Sequence, residues 1–150
     1  MHNWKEILDN HGRNVWITVR RLIDDEYEAE DCFQDVFTTV YEISCRKRIK
    51  NIGGLLQHIA VRKSIDRLRK ITAVRRNLVS LETSRDIADK SEFTAVLEKE
   101  ELADRLQKAL ARVPAKEAEV FCLFHFSELK YSEIAEVAAI KKNAVGVYLR

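Results

Sequence analysis

The sequence predicts an all-α fold, and three observations carry that prediction. One proline and four glycines in 150 residues leave too few breakers for the many turns of a sandwich or barrel. Apolar residues recur at helical spacing through most of the chain instead of alternating. Residues suited to capping stand where several of these periodic stretches begin, as Asn3, Asp24-Asp25 and Ser132 do.

Taken in order, helix one is expected from about Asn3 to Leu22, with Asn3 as N-cap. Trp4, Ile7, Leu8, His11, Val15, Val19 and Leu22 fall on one side, and Gly12 weakens the helix without ending it. Asp24-Asp25 caps helix two, about Glu26–Ser44, whose early carboxylates suit the positive end of the helix dipole. Cys32, Phe33, Val36, Phe37, Val40 and Ile43 form its apolar stripe, while Glu28, Asp31, Asp35 and Glu42 keep another face acidic. A basic loop follows, Arg46-Lys47-Arg48-Ile49-Lys50, then Gly53-Gly54. Helix three is expected over about Leu55–Ile71, with Leu55, Leu56, Ile59, Ile65 and Leu68 inward and Arg62, Lys63, Arg67, Arg69 and Lys70 around the rest.

Residues from about Thr72 to Thr94 lose clear periodicity and read as a polar linker, with some helix near Asn77–Leu81. Helix four follows over about Ala95–Val113, striped by Val96, Leu97, Leu102, Leu106, Ala109, Leu110 and Val113. Pro114 marks the start of helix five, about Ala115–Phe126, since proline is tolerated in a first turn. Ser132 is expected to cap a short helix six, Glu133–Ala138. A tight turn at Ala139–Lys141 leads to helix seven, Lys142 to Arg150. A short helix, a tight turn and a second helix make a helix-turn-helix, and Ile134, Ala135, Ile140 and Val145 have the spacing to pack it together.

Charge is segregated along the chain. Residues 24–42 hold eight acids and no base, and residues 43–76 hold eleven bases against Asp66 alone, although the whole chain is only +2. Local i,i+4 pairing cannot use such an imbalance. Adjacent acidic and basic blocks point to two partner surfaces, the basic one suited to a polyanion such as nucleic acid. Between Tyr41 and Phe93 there is no Phe, Trp or Tyr to stack on bases, and His58 is the one ring there.

Other classes find little support. The longest apolar run, about Val120–Phe126, falls far short of the ~20 residues a membrane span needs. The first ten residues carry Lys5, Glu6 and Asp9 and no apolar core of a secretory signal. Three cysteines without CxxC spacing read as reduced thiols in a cytoplasmic protein. There is no phosphate-cradling glycine loop, HExxH or GxSxG, so neither an enzyme nor a cofactor is expected. Cys122 and His125 share a helix face, but two ligands do not make a zinc site, and a buried core pair is expected instead.

Three stretches together resemble bacterial RNA polymerase sigma factors of the extracytoplasmic-function (ECF) group. Glu28-Ala29-Glu30-Asp31-Cys32-Phe33-Gln34-Asp35-Val36-Phe37 resembles the family's region 2 stretch "DAEDLVQDVF". Leu55-Leu56-Gln57-His58-Ile59-Ala60 through Ser64-Ile65-Asp66-Arg67-Leu68-Arg69 resembles "WLYRIARNLALDRLR". Val113-Pro114 through Glu119-Val120-Phe121, with Tyr131-Ser132-Glu133-Ile134-Ala135, resembles the start of region 4. The order and spacing of all three make the likeness specific.

The resemblance implies two small helical domains: a region 2-like unit over residues 1–71 and a region 4-like helix-turn-helix unit over 95–150, joined by a linker over 72–94. It implies that Asp31, Gln34 and Asp35, with Phe37 nearby, dock on a coiled coil of the polymerase β′ subunit. It implies contacts of Arg46, Lys47, Arg48, Lys50, His58, Arg62, Lys63, Arg67, Arg69 and Lys70 with −10 promoter DNA. At the −35 element it implies Lys141, Lys142, Asn143, Tyr148 and Arg150. The implied partners are core polymerase (β′ and β), promoter DNA and an anti-sigma factor, for which no site is legible; the free chain is expected to be a monomer.

Departures from the family pattern are Leu55 for Trp, Arg62 for Asn, Ala139 for Gly, and Lys141 for a Ser or Thr cap. Ala144 and Gly146 stand where Thr and Lys are common, and the family normally continues past Arg150 with a basic tail. The expectation is therefore a chain truncated at its C-terminus, the alternative being weakened −35 binding. The competing readings are a sigma-like interaction protein, which binds without directing transcription, and a stand-alone helix-turn-helix regulator. The regulator leaves the acidic helix without a purpose.

Overall fold

The structure, a computed structural model, describes residues 2–81 and 94–150, with side chains over 2–74 and 101–150. Seven helices and no strand occur among the described residues: α1 (Trp4–Leu22), α2 (Glu26–Arg46), α3 (Ile52–Leu81), α4 (Thr94–Arg112), α5 (Ala115–His125), α6 (Tyr131–Ala138) and α7 (Lys142–Tyr148).

The caps explain most starts. Asn3 Oδ1 accepts from the Glu6 amide at 3.3 Å, and Asp25 Oδ1 from the Tyr27 amide at 3.2 Å, as the sequence predicts. Between α1 and α2 the Arg20 guanidinium donates to the Asp24 carbonyl at 2.8 Å, which fixes the sharp reversal. At α3, Asn51 Oδ1 accepts from the Gly54 amide at 2.9 Å, so the helix begins three residues before its predicted start and takes Gly53-Gly54 into its first turn. Both glycines sit at close approaches. A Cβ on Gly53 would lie 2.9 Å from the His11 ring, and one on Gly54 would lie 3.2 Å from Val137 Cγ1.

Helix α3 also runs ten residues beyond its predicted end, into the stretch read as linker. The rest of that stretch, 82–93, lies outside the described residues. Helix α6 corrects another expectation. Ser132 is its second residue, not its cap; the Glu133 carboxylate accepts from the Lys130 amide at 2.9 Å and fills that role. Lys141 precedes α7 with no side-chain cap, as its chemistry dictates. Ala139 turns the chain between α6 and α7 with φ 56° and ψ 46°, the left-handed region that an L-alanine enters at a cost of about 1 kcal/mol. The Ile140 amide closes the turn on the Ala135 carbonyl at 3.1 Å.

Helix α3 is central. Helices α1, α2, α4, α5 and α6 all pack against it. Six consecutive residues, Leu56–Val61, are therefore buried all round. One apolar core runs through the molecule, from Val15, Val19, Leu22, Val36 and Val40 through Leu56 and Ile65 to Leu110, Val120, Leu123, Ile134 and Val145. Burying each large side chain of that set contributes about 1.5–3 kcal/mol. Leu102, expected in the stripe of α4, instead points outward at 67% exposure. Cys122 and His125 do not form a buried pair: Cys122 is buried, while His125 is exposed and lies against the Phe121 ring, centroids 4.5 Å apart.

Candidate functional site

The acidic and basic blocks of the sequence fold against each other. Glu28, Asp31 and Asp35 recur at three- and four-residue spacing on one face of α2, and Lys63 and Arg67 at four-residue spacing on the facing side of α3. The Arg67 guanidinium donates to Asp31 Oδ2 at 2.9 Å and Glu28 Oε2 at 3.2 Å, and lies 3.6 Å from Asp35 Oδ2. Lys63 Nζ donates to Asp35 Oδ2 at 3.0 Å. Burial alone would lower the Arg67 pKa, but the bonds from Asp31 and Glu28 outweigh it and push it up. Cys32 sits buried behind this seam beside Ser64 Oγ, and burial raises its thiol pKa.

On the outer side of α2, Gln34 is exposed and Phe37 half-buried. Phe37 packs on Phe33 with ring centroids 5.0 Å apart, and the two line an apolar groove with Trp4, Leu8, Thr38 and Tyr41. Leu8 and Tyr41 are about half exposed there. The groove continues the acidic face and was missed at the sequence level, because Trp4 and Leu8 read as ordinary core positions of an amphipathic helix.

The ten residues offered to −10 DNA divide into two sets. Arg46, Lys47, Arg48, Lys50, Arg62 and Lys70 are exposed. Lys63 and Arg67 are tied to α2, and Arg69 donates to the Val113 carbonyl at the end of α4. His58 is buried and its Nε2 lies 3.4 Å from Glu119 Oε1 of α5, an ion-pair distance without the alignment of a hydrogen bond. Its exposure to DNA, expected from the resemblance, is absent in this arrangement, because α5 covers the face of α3 that carries it. Burial would raise the Glu119 pKa, but His58, Lys116 and Arg62 hold it below the ordinary carboxylate value.

The same side of α3 carries a polar clasp between the two halves of the chain. Gln57 Oε1 accepts from Thr18 Oγ1 at 2.7 Å and from Ser127 Oγ at 2.6 Å. The Gln107 amide donates to the Arg21 carbonyl at 3.1 Å and to Asp24 Oδ1 at 3.0 Å. The Arg21 guanidinium caps the Phe126 ring at 5.3 Å. Beside the clasp, His11, Asn14, Arg21, Gln57, Ser127 and Glu133 line a polar cleft of about 460 Å³. The sequence offered one sign of the clasp, polar Gln57 among the apolar residues of α3, but not its partners.

In the C-terminal pair, Ile134 and Val145 are buried and Ala135 and Ile140 half-buried, so α6 and α7 pack as the pattern requires. Lys141, Lys142, Asn143 and Arg150 are exposed and Tyr148 half-buried. Among the described residues no group of three His, Cys, Asp or Glu could hold a metal ion, and no helix is long and apolar enough to cross a membrane. Burial pushes the Cys122 thiol up to about 12. It is protonated at neutral pH and is no nucleophile.

Comparison with known proteins finds two family models on the chain. Residues 7–74 match the family model for sigma-70 region 2, and residues 103–150 that for sigma-70 region 4. A curated relative, the ECF RNA polymerase sigma factor SigE of Mycolicibacterium smegmatis, is 23% identical over 145 residues, 97% of this chain and 56% of the relative. The chain thus spans about half the length of that relative. With both region models matched in order, the chain belongs to the sigma-70 family.

Proposed function

We propose that this sigma-70-family chain is a transcription initiation factor: it binds the RNA polymerase core and directs it to promoters through −10 and −35 DNA. One observation carries the reading. A helix with a carboxylate row, a basic loop and helix, and a terminal helix-turn-helix follow one another in the order of regions 2 and 4. In this reading residues 1–71 form the polymerase and −10 unit and 95–150 the −35 unit. The segment over 72–94 joins them and starts as a continuation of α3.

The role of each surface follows from its chemistry. Asp31, Gln34 and Asp35, beside the apolar groove at Phe37, meet the β′ subunit, where carboxylates offer charge to a basic partner and the groove takes apolar side chains. The exposed cations of the basic loop, with Arg62 and Lys70, hold phosphates near the −10 element. Lys141, Lys142 and Asn143, at the start of α7, enter the major groove at the −35 element, with Tyr148 and Arg150 beside them. The protein supplies promoter choice and no covalent chemistry of its own. It acts in the cytoplasm, and an anti-sigma factor is a further partner.

The test is co-elution with purified bacterial core polymerase on a sizing column, beside Asp31→Asn/Asp35→Asn. Both carboxylates are part-exposed, so neutralising them should weaken core binding far more than it lowers the melting temperature. A folded, monomeric wild-type chain that does not co-elute refutes core recruitment and puts the stand-alone helix-turn-helix regulator in its place.

A further inference from the structure

The polar cleft beside the clasp, about 460 Å³, has no part in the function proposed above. Its size falls within the ~300–1,000 Å³ of small-molecule sites, and its lining is hydrophilic, which calls for a hydrophilic occupant. Helix α1 brings Arg21 and His11 to it. The α5–α6 turn and α6 bring His125, Glu128 and Glu133. One half of the chain therefore supplies a guanidinium, and the other supplies two carboxylates.

Several of these groups have bonding capacity to spare. Gln57, which also lines the cleft, is only 9% exposed. Its Oε1 accepts from both Thr18 and Ser127, while its Nε2 donates to nothing among the described residues. A buried amide nitrogen needs an acceptor, and the cleft is where one can be seated. The Arg21 guanidinium lies over the Phe126 ring and spends one N–H on the Phe126 carbonyl, at 3.4 Å, which leaves the rest of its fork open. Glu133 gives one oxygen to the Lys130 amide and keeps the other. Glu128 stands at φ 56°, where glycine is the easier residue, and places a carboxylate at the cleft instead.

We propose that this cleft binds a small zwitterion of the α-amino acid class. A plain anion would meet Glu128 and Glu133, and a plain cation would meet Arg21; opposite charges a few ångströms apart satisfy both. The ligand carboxylate takes Arg21 and the Gln57 amide, a charge-assisted arrangement suited to the guanidinium fork. The ammonium takes Glu128 and Glu133. His11 and His125, each able to donate or accept, meet the side chain. Because its two ends are held by different halves, the ligand favours the closed chain by mass action. In the function proposed above this makes it a co-repressor, which holds together the units assigned to −10 and −35 DNA. That role rests on the proposed function; the site does not.

The test is thermal unfolding and titration calorimetry of the full chain with each of the twenty L-amino acids at 1 mM. At least one should bind with a Kd of about 0.1 mM or below and raise the melting temperature by roughly 3–5 °C. No shift with any of them overturns the proposal. For the amino acid that binds, its methyl ester and its N-acetyl derivative should each bind wild type about tenfold or more weakly, since each lacks one charge. Arg21→Gln and Glu128→Lys should weaken the parent amino acid by a similar factor. Gln57→Glu keeps the acceptor for Thr18 and Ser127, removes the free donor, and should do the same. Should Gln57→Glu fold poorly, the other two, at exposed residues, decide the matter. Loss with Arg21→Gln but not with Glu128→Lys would make this an anion site on one half and overturns the bridging ligand. The co-repressor role is read separately: the saturating amino acid should weaken promoter-DNA binding about fivefold or more, and unchanged affinity overturns that role. A wild-type chain that binds the amino acid but neither DNA nor core polymerase sinks the transcription-factor reading and leaves the site standing.

Discussion

The clasp sets a geometric condition on promoter binding. Helix α3, the longest described element, has 30 residues and is about 45 Å long, and the other helices pack against it. Elements centred near −10 and −35 lie roughly 25 base pairs apart, about 85 Å along B-form DNA at ~3.4 Å per pair. If the chain touches both, as the proposed function has it, the form closed by the Gln57, Gln107 and His58 contacts must open. Gly54→Cys/Val137→Cys tests this. A Cβ at position 54 lies 3.2 Å from Val137 Cγ1, which puts the two Cβ atoms within reach of the ~3.5–4.5 Å that a disulfide spans. Cys45 is exposed and is replaced by Ser to prevent mispairing; Cys32 and Cys122 are buried and stay.

The bridge closes a loop of roughly 80 residues, which in the chain-entropy account stabilises the closed form by about 4–5 kcal/mol. The new Cβ crowds Asn51, 2.7 Å away, and disturbing that cap gives back about 1 kcal/mol. The net gain should raise the melting temperature by roughly 10 °C in a chain of this size. The assay is run-off transcription with core polymerase on a promoter selected from random sequence with the reduced protein. The oxidised chain should be inactive, and dithiothreitol should restore it. An oxidised chain that still initiates refutes the need for opening.

Other outcomes follow from single contacts. The Glu119 pKa is lowered in the folded protein, so its contribution to stability is complete above the ordinary carboxylate value and lost as pH falls through the lowered one. Glu119→Gln should flatten the dependence of melting temperature on pH below the ordinary carboxylate value, and an unchanged profile would remove Glu119 as its source. Ser127→Ala should cost only about 1 kcal/mol in chemical denaturation, because Gln57 Oε1 still accepts from Thr18; a cost of several kcal/mol would contradict that sharing. Ala139→Gly should stabilise the chain by up to about 1 kcal/mol by relieving the left-handed backbone between α6 and α7, and destabilisation would argue against that φ. In free-chain binding to duplex DNA, Arg62→Ala should flatten the salt slope by up to ~0.9 while Lys63→Ala leaves it nearly unchanged. Equal effects would mean that the α2 carboxylates do not hold Lys63.

The sequence carried the helices further than it carried their surroundings. Periodicity and caps placed α1 and α2 within two residues at each end, because Asn3 and Asp25 act locally and the reversal between the helices is short. It misjudged α3 because periodicity assumes one wet face. Between Leu56 and Val61 that helix is enclosed by neighbours on both sides, and Gln57 and His58 are buried by finding partners on α1, the α5–α6 turn and α5. No sequence window sees a partner 70 residues away. The overrun of α3 has another origin: Thr72–Leu81 holds Val74, Leu78 and Leu81 at helical spacing and continues a helix already formed, where propagation is cheap and nucleation is not.

Charge was the more deceptive signal, since the blocks were legible and their relation was not. An excess of eleven bases over one acid in residues 43–76 suggests a surface wholly available to DNA. In the fold, helical spacing turns Lys63 and Arg67 onto α2, the end of α4 takes Arg69, and α5 covers His58. Six exposed cations are left among the ten candidates, four of them in the loop between Arg46 and Lys50. The two sets should respond differently to partners. In the proposed function the exposed loop cations should supply most of the free chain's salt-sensitive affinity for DNA. Lys63, Arg67 and Arg69 are tied to neighbouring elements and should add little to it. If the proposed function holds, the salt slope of the free chain on DNA should therefore count the exposed cations and fall short of the ten candidates.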